Sequence, residues 1–192
     1  DSKGVYARAH ALIEQYVQEN NSPVCDLNPW WFMDNWAAYA QEAKSDGQIS
    51  LPYGKRPKHG FIHTHDIGGY AAALLTIPSN EISQHIGQHY DICGPQWVTW
   101  EYVINALSKE AGYEIKMNDI TWQQLAEALK GAGFPDLLAT SYALTFAVME
   151  EIQEPKRPKV TATAPVMASL YKPTVTVEEQ AKLLAPLFKK DK

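Results

Sequence analysis

The chain has 192 residues, of which 45% are hydrophobic and 20% charged, enough to bury the core of a single domain over residues 1–192. A net charge of -5 with scattered basic residues excludes the clustered positive surface that nucleic-acid binding requires. No apolar run approaches the about 20 residues of a membrane span, no secretory signal opens the chain, and two cysteines cannot form a disulfide framework, so we expect a cytoplasmic protein.

The first half of the chain predicts helices that alternate with short strands. Apolar residues recur at helical spacing over residues 5–18, which predicts an opening helix. Residues 24–27 predict a strand before an aromatic helical stretch, and residues 61–63 predict a second strand before a helix over 69–75. This order is typical of an α/β layer architecture.

The second half continues the alternation. Strands are predicted over 88–93 and 114–118, and a further helix is expected to run to about residue 154. Thr99 and Thr121 can each accept a bond from a first helical turn and so predict two helix starts, and the last amphipathic helix is expected to start near Thr176. Strands separated by helices pair in parallel, so the fold class is predicted as α/β with a parallel sheet and flanking helices.

We make two further predictions for the last helix, one for its buried face and one for its proline. Its leucines recur at helical spacing, which predicts a buried face made by Leu183, Leu184 and Leu187. Pro186 lies within this pattern and lacks the backbone N–H that a helix interior needs, so we expect it to kink or end the helix.

Tyr6 and His10 are the first candidate catalytic residues. They are four residues apart and therefore share one face of the opening helix. An imidazole titrates near neutral pH and can assist proton transfer by a phenol, so the two could form an acid–base pair. The spacing by itself favours two side chains that only pack and hydrogen-bond.

The histidines cluster at His63-Thr64-His65-Asp66. Two histidines two residues apart on a strand share a face and could bind zinc with a third ligand. No second group of carboxylates or cysteines stands at a recognisable ligand spacing. The sequence therefore predicts no metal site.

A dense aromatic stretch follows the first predicted strand. Trp30, Trp31, Phe32 and Trp36 lie just beyond Asn28-Pro29, at the strand end where open α/β sheets bind ligands. Tryptophan and tyrosine rings suit a pocket for a planar organic ligand, and they equally suit a core cluster. The sequence leaves both interpretations open.

Phosphate-binding motifs are absent from the sequence. The eleven glycines include no Gly-x-Gly-x-x-Gly series, and no Walker loop or Cys-x-x-Cys pair is present. Dinucleotide binding in this fold class relies on glycines that let the backbone approach the diphosphate at a helix N-terminus. We expect this chain alone to bind no dinucleotide.

Three blocks in order resemble the NmrA-like atypical short-chain dehydrogenases and reductases, with the fungal ergot-alkaloid (festuclavine or agroclavine) dehydrogenases as the nearest subgroup. The blocks are 27–36, 61–68 and 90–95, and the resemblance continues to Lys172-Pro173-Thr174 before the last helix. It implies a partial Rossmann-like fold that corresponds to the C-terminal, substrate-binding half, with the N-terminal dinucleotide-binding half missing.

The resemblance also implies roles for individual residues. Tyr6 and His10 fall near the family's Tyr-x-x-x-Lys pattern, with His10 in the lysine position, which makes the lysine contact to the nicotinamide ribose doubtful. Asn28 and Pro29 would contact the cofactor, which is NADP or NAD in the complete fold. The residues implied to bind the substrate are Asn28, Trp30, Trp31, Phe32 and Asn35.

The resemblance implies an NAD(P)-dependent oxidoreductase, or a fragment of one, acting on a small organic and alkaloid-like molecule. A second hypothesis is a cofactor-independent isomerase or cyclase with Tyr6, His10 and Asp26 as acid–base groups. A third is a non-catalytic, redox-sensing protein. The expected partners are a small-molecule substrate and either a second copy of the chain or the missing N-terminal segment.

Overall fold

A computed structural model describes residues 5–53, 58–152 and 163–190. The contacts within the chain divide it into two compact units, each built from three stretches of sequence. The first unit comprises Asp1–Ser22, Ser50–Pro57 and Met117–Lys159; the second comprises Pro23–Ile49, Lys58–Lys116 and Val160–Lys192. None of the helices within the described ranges combines the length and the apolar character that crossing a bilayer demands.

The described elements alternate as the sequence predicts. The helices are α1 (Val5–Glu19), α2 (Ala40–Asp46), α3 (Thr64–Leu75), α4 (Trp100–Ala111), α5 (Trp122–Gly131), α6 (Asp136–Ile152), α7 (Pro165–Leu170) and α8 (Val177–Phe188). The strands are β1 (Asp26–Pro29), β2 (Gln48–Leu51), β3 (His89–Ile92) and β4 (Lys116–Asp119), and short 3₁₀ helices span Met33–Tyr39 and Ile82–His85.

The strands form two pairs, β1 with β3 and β2 with β4. β1 and β3 run parallel, with Asp26 opposite His89 and Pro29 opposite Ile92. In the second pair, hydrogen bonds from Lys116 N to Gly47 O and from Ile120 N to Leu51 O advance in the same direction along both strands. The prediction of an α/β fold with parallel strands is confirmed.

The first unit is mainly helical. α6 packs against both α5 and α1. The apolar residues of α1 that made the helix predictable are largely exposed, because α6 covers only part of its surface; Leu12 is 62%, Ile13 61% and Tyr16 68% accessible.

The second unit surrounds the β1–β3 pair with helices. Its largest helix pair is α4 with α8, and α3 packs against α7. The residues predicted as a strand at 61–63 form only a single parallel bridge, between Ile62 and Phe32, before His63 caps α3. The extended segment is too short for a regular strand because α3 begins at the next residue.

The predicted threonine caps are confirmed. Thr99 accepts a hydrogen bond from the N–H of Tyr102 at the start of α4. Thr121 and Gln124 form a reciprocal capping box on α5, and Thr176 forms another on α8 with Glu179. Each cap satisfies N–H groups that the first helical turn leaves without an intrahelical acceptor.

The predicted buried face of α8 is wrong. Leu183 and Leu187 are 64% and 47% exposed, and Leu184 is only partly buried. The buried face is instead made by Val177, Gln180, Ala181, Ala185 and Phe188. Apolar residues occur on two sides of this helix, and the small alanines allow the closer approach to α4. The helix continues two residues past Pro186 and ends at Phe188.

A fully buried carboxylate joins α3 to the segment that precedes α8. Asp66 Oδ1 accepts hydrogen bonds from Tyr171 Oη at 2.9 Å, Thr174 N at 2.9 Å and Thr174 Oγ1 at 3.2 Å. Its Oδ2 accepts from Val175 N at 3.0 Å. Gly69 lets the Tyr171 ring lie against α3, since a Cβ there would stand 2.2 Å from the ring. The Asp66 carboxylate therefore has a structural role, because it joins α3 to the segment that leads into α8.

Candidate functional site

The candidate site lies at the carboxyl edge of the β1–β3 pair. Because Pro29 and Ile92 are opposite each other in a parallel register, both strands end at the same edge. Ligands of open α/β sheets bind outside this edge, where loops leave the strands. The residues that follow are the aromatic segment 30–36 on one side and the β3–α4 loop, residues 93–99, on the other.

The aromatic segment is fixed between two neighbouring backbones. Trp30 N donates to Ile92 O at 3.1 Å, which continues the pairing with β3. On the other side, Ile62 N donates to Trp31 O and Met33 N donates to Ile62 O, both at 2.9 Å. Extended backbone directs successive side chains to opposite faces, so Trp30 and Trp31 belong to different surfaces of the edge.

The rings of this segment divide into an outer and an inner set. Trp30 and Trp31 are half-buried, Phe32 is 36% exposed, and Asn35 is exposed. Trp36 is only 1% exposed. Its ring lies 5.3 Å from Phe61 and 6.4 Å from Trp100, between centroids. Trp36 is therefore a core residue, whereas the outer rings remain available to a ligand.

The β3–α4 loop supplies another ring to the outer set. Trp97 is half-buried and packs edge-on against Trp30, with 5.1 Å between the ring centroids. The loop lies directly against the backbone of Phe61, which is possible because Gly94 has no side chain; a Cβ there would stand 2.0 Å from the carbonyl oxygen of Phe61. Trp30 and Trp97 thus form a paired aromatic surface at the carboxyl edge.

His59 is buried on the inner side of the edge. Its side chain is 3% exposed, and its backbone pairs with Val98. The imidazole lies 6.2 Å from the ring of Trp31, 5.4 Å from Phe61 and 6.5 Å from Trp100, between centroids. Within the described part of the chain its Nδ1 atom has no hydrogen-bond partner. Desolvation by this aromatic surrounding lowers the pKa of His59 to about 4.

This buried imidazole predicts a loss of stability in acid. The unfolded chain binds the proton with a pKa near 6.5 and the folded protein only near 4, so protonation favours unfolding. The contribution to stability is complete above pH 6.5 and is lost as the pH falls through about 4. We expect the free energy of unfolding to fall by ~3 kcal/mol over this range from His59 alone.

Urea titrations at a series of pH values measure this effect. His59→Gln should remove that part of the pH dependence, whereas the control His65→Gln, which changes an exposed histidine, should retain it. An equal pH dependence in all three proteins would show that His59 does not cause the acid sensitivity.

The His63-Thr64-His65-Asp66 cluster serves the start of α3. His63 Nδ1 accepts from His65 N at 3.0 Å, and its Nε2 lies 3.4 Å from Asp34 Oδ1. Asp34 also accepts from Thr64 N and Thr64 Oγ1. Across residues 5–53, 58–152 and 163–190, no three or more histidine, cysteine, aspartate or glutamate side chains are grouped to hold a metal ion.

The thiol at the end of β3 is not a nucleophile. Cys93 is 1% exposed, and burial raises its pKa to about 12. A thiol with that pKa stays protonated at neutral pH, and only the thiolate attacks or binds a metal. Its backbone N–H donates to Thr163 Oγ1 at 3.0 Å, so this position contributes to packing.

Tyr6 and His10 lie in α1, which belongs to the first unit, and the aromatic edge belongs to the second. Tyr6 is 44% exposed, and His10 is also exposed. Asn28 and Pro29 are half-buried on β1 within the second unit. The roles of these residues remain predictions.

Several of the described helix N-termini are not free to hold the diphosphate of a dinucleotide. Four helix N-termini are occupied by side chains of the chain itself, at the caps His63, Thr99, Thr121 and Thr176. Gly47 and Gly112 have positive φ angles, but they end helices α2 and α4. A diphosphate needs a free helix N-terminus approached through glycines, and neither of these two glycines leads into one, whereas Gly133, which also has a positive φ angle, lies three residues before the start of α6.

Sequence reasoning missed two members of the site. Trp97 follows the end of β3 at Gly94-Pro95, so the strand-end rule that selected Trp30 could have selected it. His59 carried no comparable signal, because only the fold brings it against Trp31 and Trp100.

Known proteins resemble this chain. It is 33% identical over 135 residues to the NAD(P)H azoreductase of Xenophilus azovorans, covering 70% of this chain and 45% of the azoreductase. It is 32% identical over 110 residues to the agroclavine dehydrogenase of Claviceps purpurea, covering 56% and 36% respectively. No family model matches the chain.

A solved NADPH-dependent quinone oxidoreductase of Escherichia coli shares the fold, with a TM-score of 0.70 and 22% identity over 92% of this chain and 61% of that one. The chain spans less than half the length of the azoreductase and of the agroclavine dehydrogenase. Matches of this kind bear out the resemblance of the three sequence blocks to the NmrA-like atypical short-chain dehydrogenases and reductases.

Proposed function

We propose that this chain forms the substrate-binding part of an NAD(P)H-dependent oxidoreductase that acts on a small, flat organic molecule. The observation that carries the proposal is the paired aromatic surface of Trp30 and Trp97 at the carboxyl edge of β1 and β3. Half-buried indole rings offer large apolar faces with few rotatable bonds, which favours binding of planar ligands.

The relatives favour an oxidoreductase over the two other hypotheses. The azoreductase, the agroclavine dehydrogenase and a quinone oxidoreductase of Escherichia coli, which is 26% identical over 137 residues, are all named for redox reactions. Each of these names refers to a substrate that contains a ring system or a conjugated double bond. We therefore infer a quinone, an azo compound or an alkaloid-like ring system as the substrate class.

The chemistry divides between the cofactor and the chain. A nicotinamide cofactor supplies hydride when it is bound, and its diphosphate is assigned to the portion of the relatives that this chain does not match. We propose that Asn28 and Pro29 face the cofactor and that Trp30, Trp31, Phe32 and Asn35 face the substrate. The aromatic rings would orient the ligand and exclude water from one of its faces.

We propose that Tyr6 donates a proton to the substrate and that His10 assists it. A phenol can donate to an oxygen or nitrogen that becomes basic on reduction, and a nearby imidazole can tune it. The exposure of both side chains on α1 is compatible with access by a ligand. Both cysteines are free thiols, which supports a reducing, cytoplasmic setting.

Activity assays of the natural protein test this function. We expect the protein to consume NADPH or NADH when 1,4-naphthoquinone or an azo dye is added, as measured by the loss of reduced-nicotinamide absorbance. Trp30→Ala should raise KM for the quinone with little change in kcat, because it removes binding that ground and transition states share. If reduced nicotinamide is never consumed with either substrate class, the oxidoreductase assignment is wrong.

The 192-residue chain by itself gives a separate prediction. We expect it to bind NADPH weakly or not at all, because the N-termini of α3, α4, α5 and α8 are already capped by its own side chains. Titration followed by NADPH fluorescence measures this, with the full-length protein as the comparison. Saturable binding by the chain alone at low micromolar concentration would contradict it.

A further inference from the structure

The β3–α4 loop that carries Trp97 is held by the first turn of α8. Gln96 Oε1 accepts from Val177 N at 2.7 Å, and Gln96 Nε2 donates to Glu178 Oε2 at 3.1 Å. The Gln96 side chain therefore bonds to two consecutive residues of the helix, through its acceptor to Val177 and through its donor to Glu178. Trp97 is the next residue in the loop, so these bonds restrict where its ring can lie.

Glu178 has a second partner that fixes its carboxylate. The Tyr102 hydroxyl on α4 donates to Glu178 Oε1, while Oε2 receives the Gln96 amide. The hydrogen bond from Tyr102 is the largest cause of a lowered pKa for Glu178. The carboxylate thus stays ionised near neutral pH and keeps accepting from both neighbours.

The same turn of α8 also holds the aromatic segment. Gln180 is 3% exposed, and its Nε2 donates to Met33 O at 3.2 Å. Met33 follows the outer rings of the aromatic segment. Two residues of α8, Glu178 and Gln180, therefore hold the loop on one side of the edge and the segment on the other.

We propose that the first turn of α8 positions the paired aromatic surface, with Gln96 and Glu178 as positioning residues that set Trp97 against Trp30. This proposal rests on the function proposed for that surface. The contact is an amide–carboxylate hydrogen bond next to Trp97, so its loss removes the side-chain support of this residue and leaves the backbone pairing of Val98 with His59 as the remaining hold on the loop. The Trp97 ring, which forms one wall of the proposed site for a flat substrate, would then be misplaced.

Exchanging the two side chains isolates this contact. Gln96→Glu removes the amide donor and sets two carboxylates against each other, whereas Glu178→Gln keeps an acceptor for the Gln96 amide but removes the charge that strengthens the hydrogen bond. The double variant Gln96→Glu with Glu178→Gln restores a donor–acceptor pair in reversed order. Because the double variant restores the hydrogen bond, the effects of the two substitutions should not add, whereas substitutions at two unrelated positions should add.

The first readout is spectroscopic and needs no substrate. Two indoles packed at 5.1 Å couple their electronic transitions, so near-ultraviolet circular dichroism should show a signal that Trp97→Phe removes. We expect Gln96→Glu to lose most of this signal, Glu178→Gln to lose part of it, and the double variant to regain it. Gln84→Glu, an exposed glutamine outside the loop, is the matched control and should keep the signal.

The second readout is catalysis with 1,4-naphthoquinone. Each single variant should raise KM about fivefold or more while kcat changes little, and the double variant should return KM towards the natural value. If the coupled signal follows this pattern but no variant or natural protein reduces the quinone, the positioning stands and the proposed function fails.

Two results would overturn the positioning. One is an unchanged coupled signal in both single variants, and the other is a folded double variant that regains neither signal nor KM. Should the single variants not fold, acidification of the natural protein below the lowered pKa of Glu178 must weaken the coupled signal before the protein unfolds. A signal that persists until unfolding would refute the proposal in that case.

Discussion

Replacing Asp66 with asparagine is expected to lower the free energy of unfolding by about 4 kcal/mol, because it disrupts a fully buried group that accepts four hydrogen bonds. The carboxylate of Asp66 is 0% exposed and accepts these bonds from Tyr171, Thr174 and Val175. An asparagine has one acceptor oxygen instead of two, so its amide N–H₂ would face at least one of these donors.

Urea denaturation followed by circular dichroism measures this loss. Asp46→Asn is the matched control, because Asp46 is exposed at the end of α2, and it should change stability by less than about 0.5 kcal/mol. The Asp66 variant should also loosen the segment that leads into α8, since three of the four bonds come from residues 174 and 175. Equal stability of the two variants would mean that the buried carboxylate is not a structural support.

Replacing Trp36 with alanine should cost ~3–5 kcal/mol of stability, because the ring is fully buried and its removal leaves a cavity. Trp36 packs against Phe61 and Trp100, which have their own contacts and cannot collapse to fill the space. Trp31→Ala should cost less than about 2 kcal/mol, since that ring is already partly in solvent.

Thermal melts together with quinone titrations separate the two tryptophans. The Trp31 variant should weaken binding of 1,4-naphthoquinone while it melts near the natural protein, and the Trp36 variant should melt much earlier. If Trp31→Ala unfolds the protein, or leaves quinone affinity unchanged, then the aromatic edge is a core cluster and the proposed substrate site loses its main support.

These contrasts explain how one short segment can serve both the core and the surface. Residues 30–32 are extended and held on both sides by backbone hydrogen bonds, so alternate rings face different environments. The chain then turns into the 3₁₀ helix, and Trp36 points into the core. If the proposed substrate binds here, a rigid inner wall of this kind would hold the outer rings in place and reduce the entropy lost on binding.

The local signals of the sequence determined most of the secondary structure. Threonine caps at Thr99, Thr121 and Thr176 gave correct helix starts because the hydrogen bonds involved span only three residues. Strands at 26–29, 89–92 and 116–119 lie within two residues of the predictions at 24–27, 88–93 and 114–118. The alternation of these elements was enough to predict an α/β fold with parallel strands.

Local patterns failed where two faces of one element are apolar. The leucines of α8 suggested a buried face, but the fold buries Ala181, Ala185 and Phe188 instead, because α4 approaches the side with small residues. Hydrophobic spacing reports which residues could be buried together, and it cannot choose between two such sets on one helix.

The sequence by itself pointed to the end of β1 as a candidate ligand site, because a strand end and a high aromatic density are both visible there, and it left a core cluster as the other interpretation. Only the tertiary structure decided that Trp97 joins Trp30, that His59 is buried beside Trp31, and that Trp36 belongs to the core. These contacts join residues far apart in the chain. Their selection depends on which surfaces the strand pairing and helix packing bring together, and no local propensity encodes that choice.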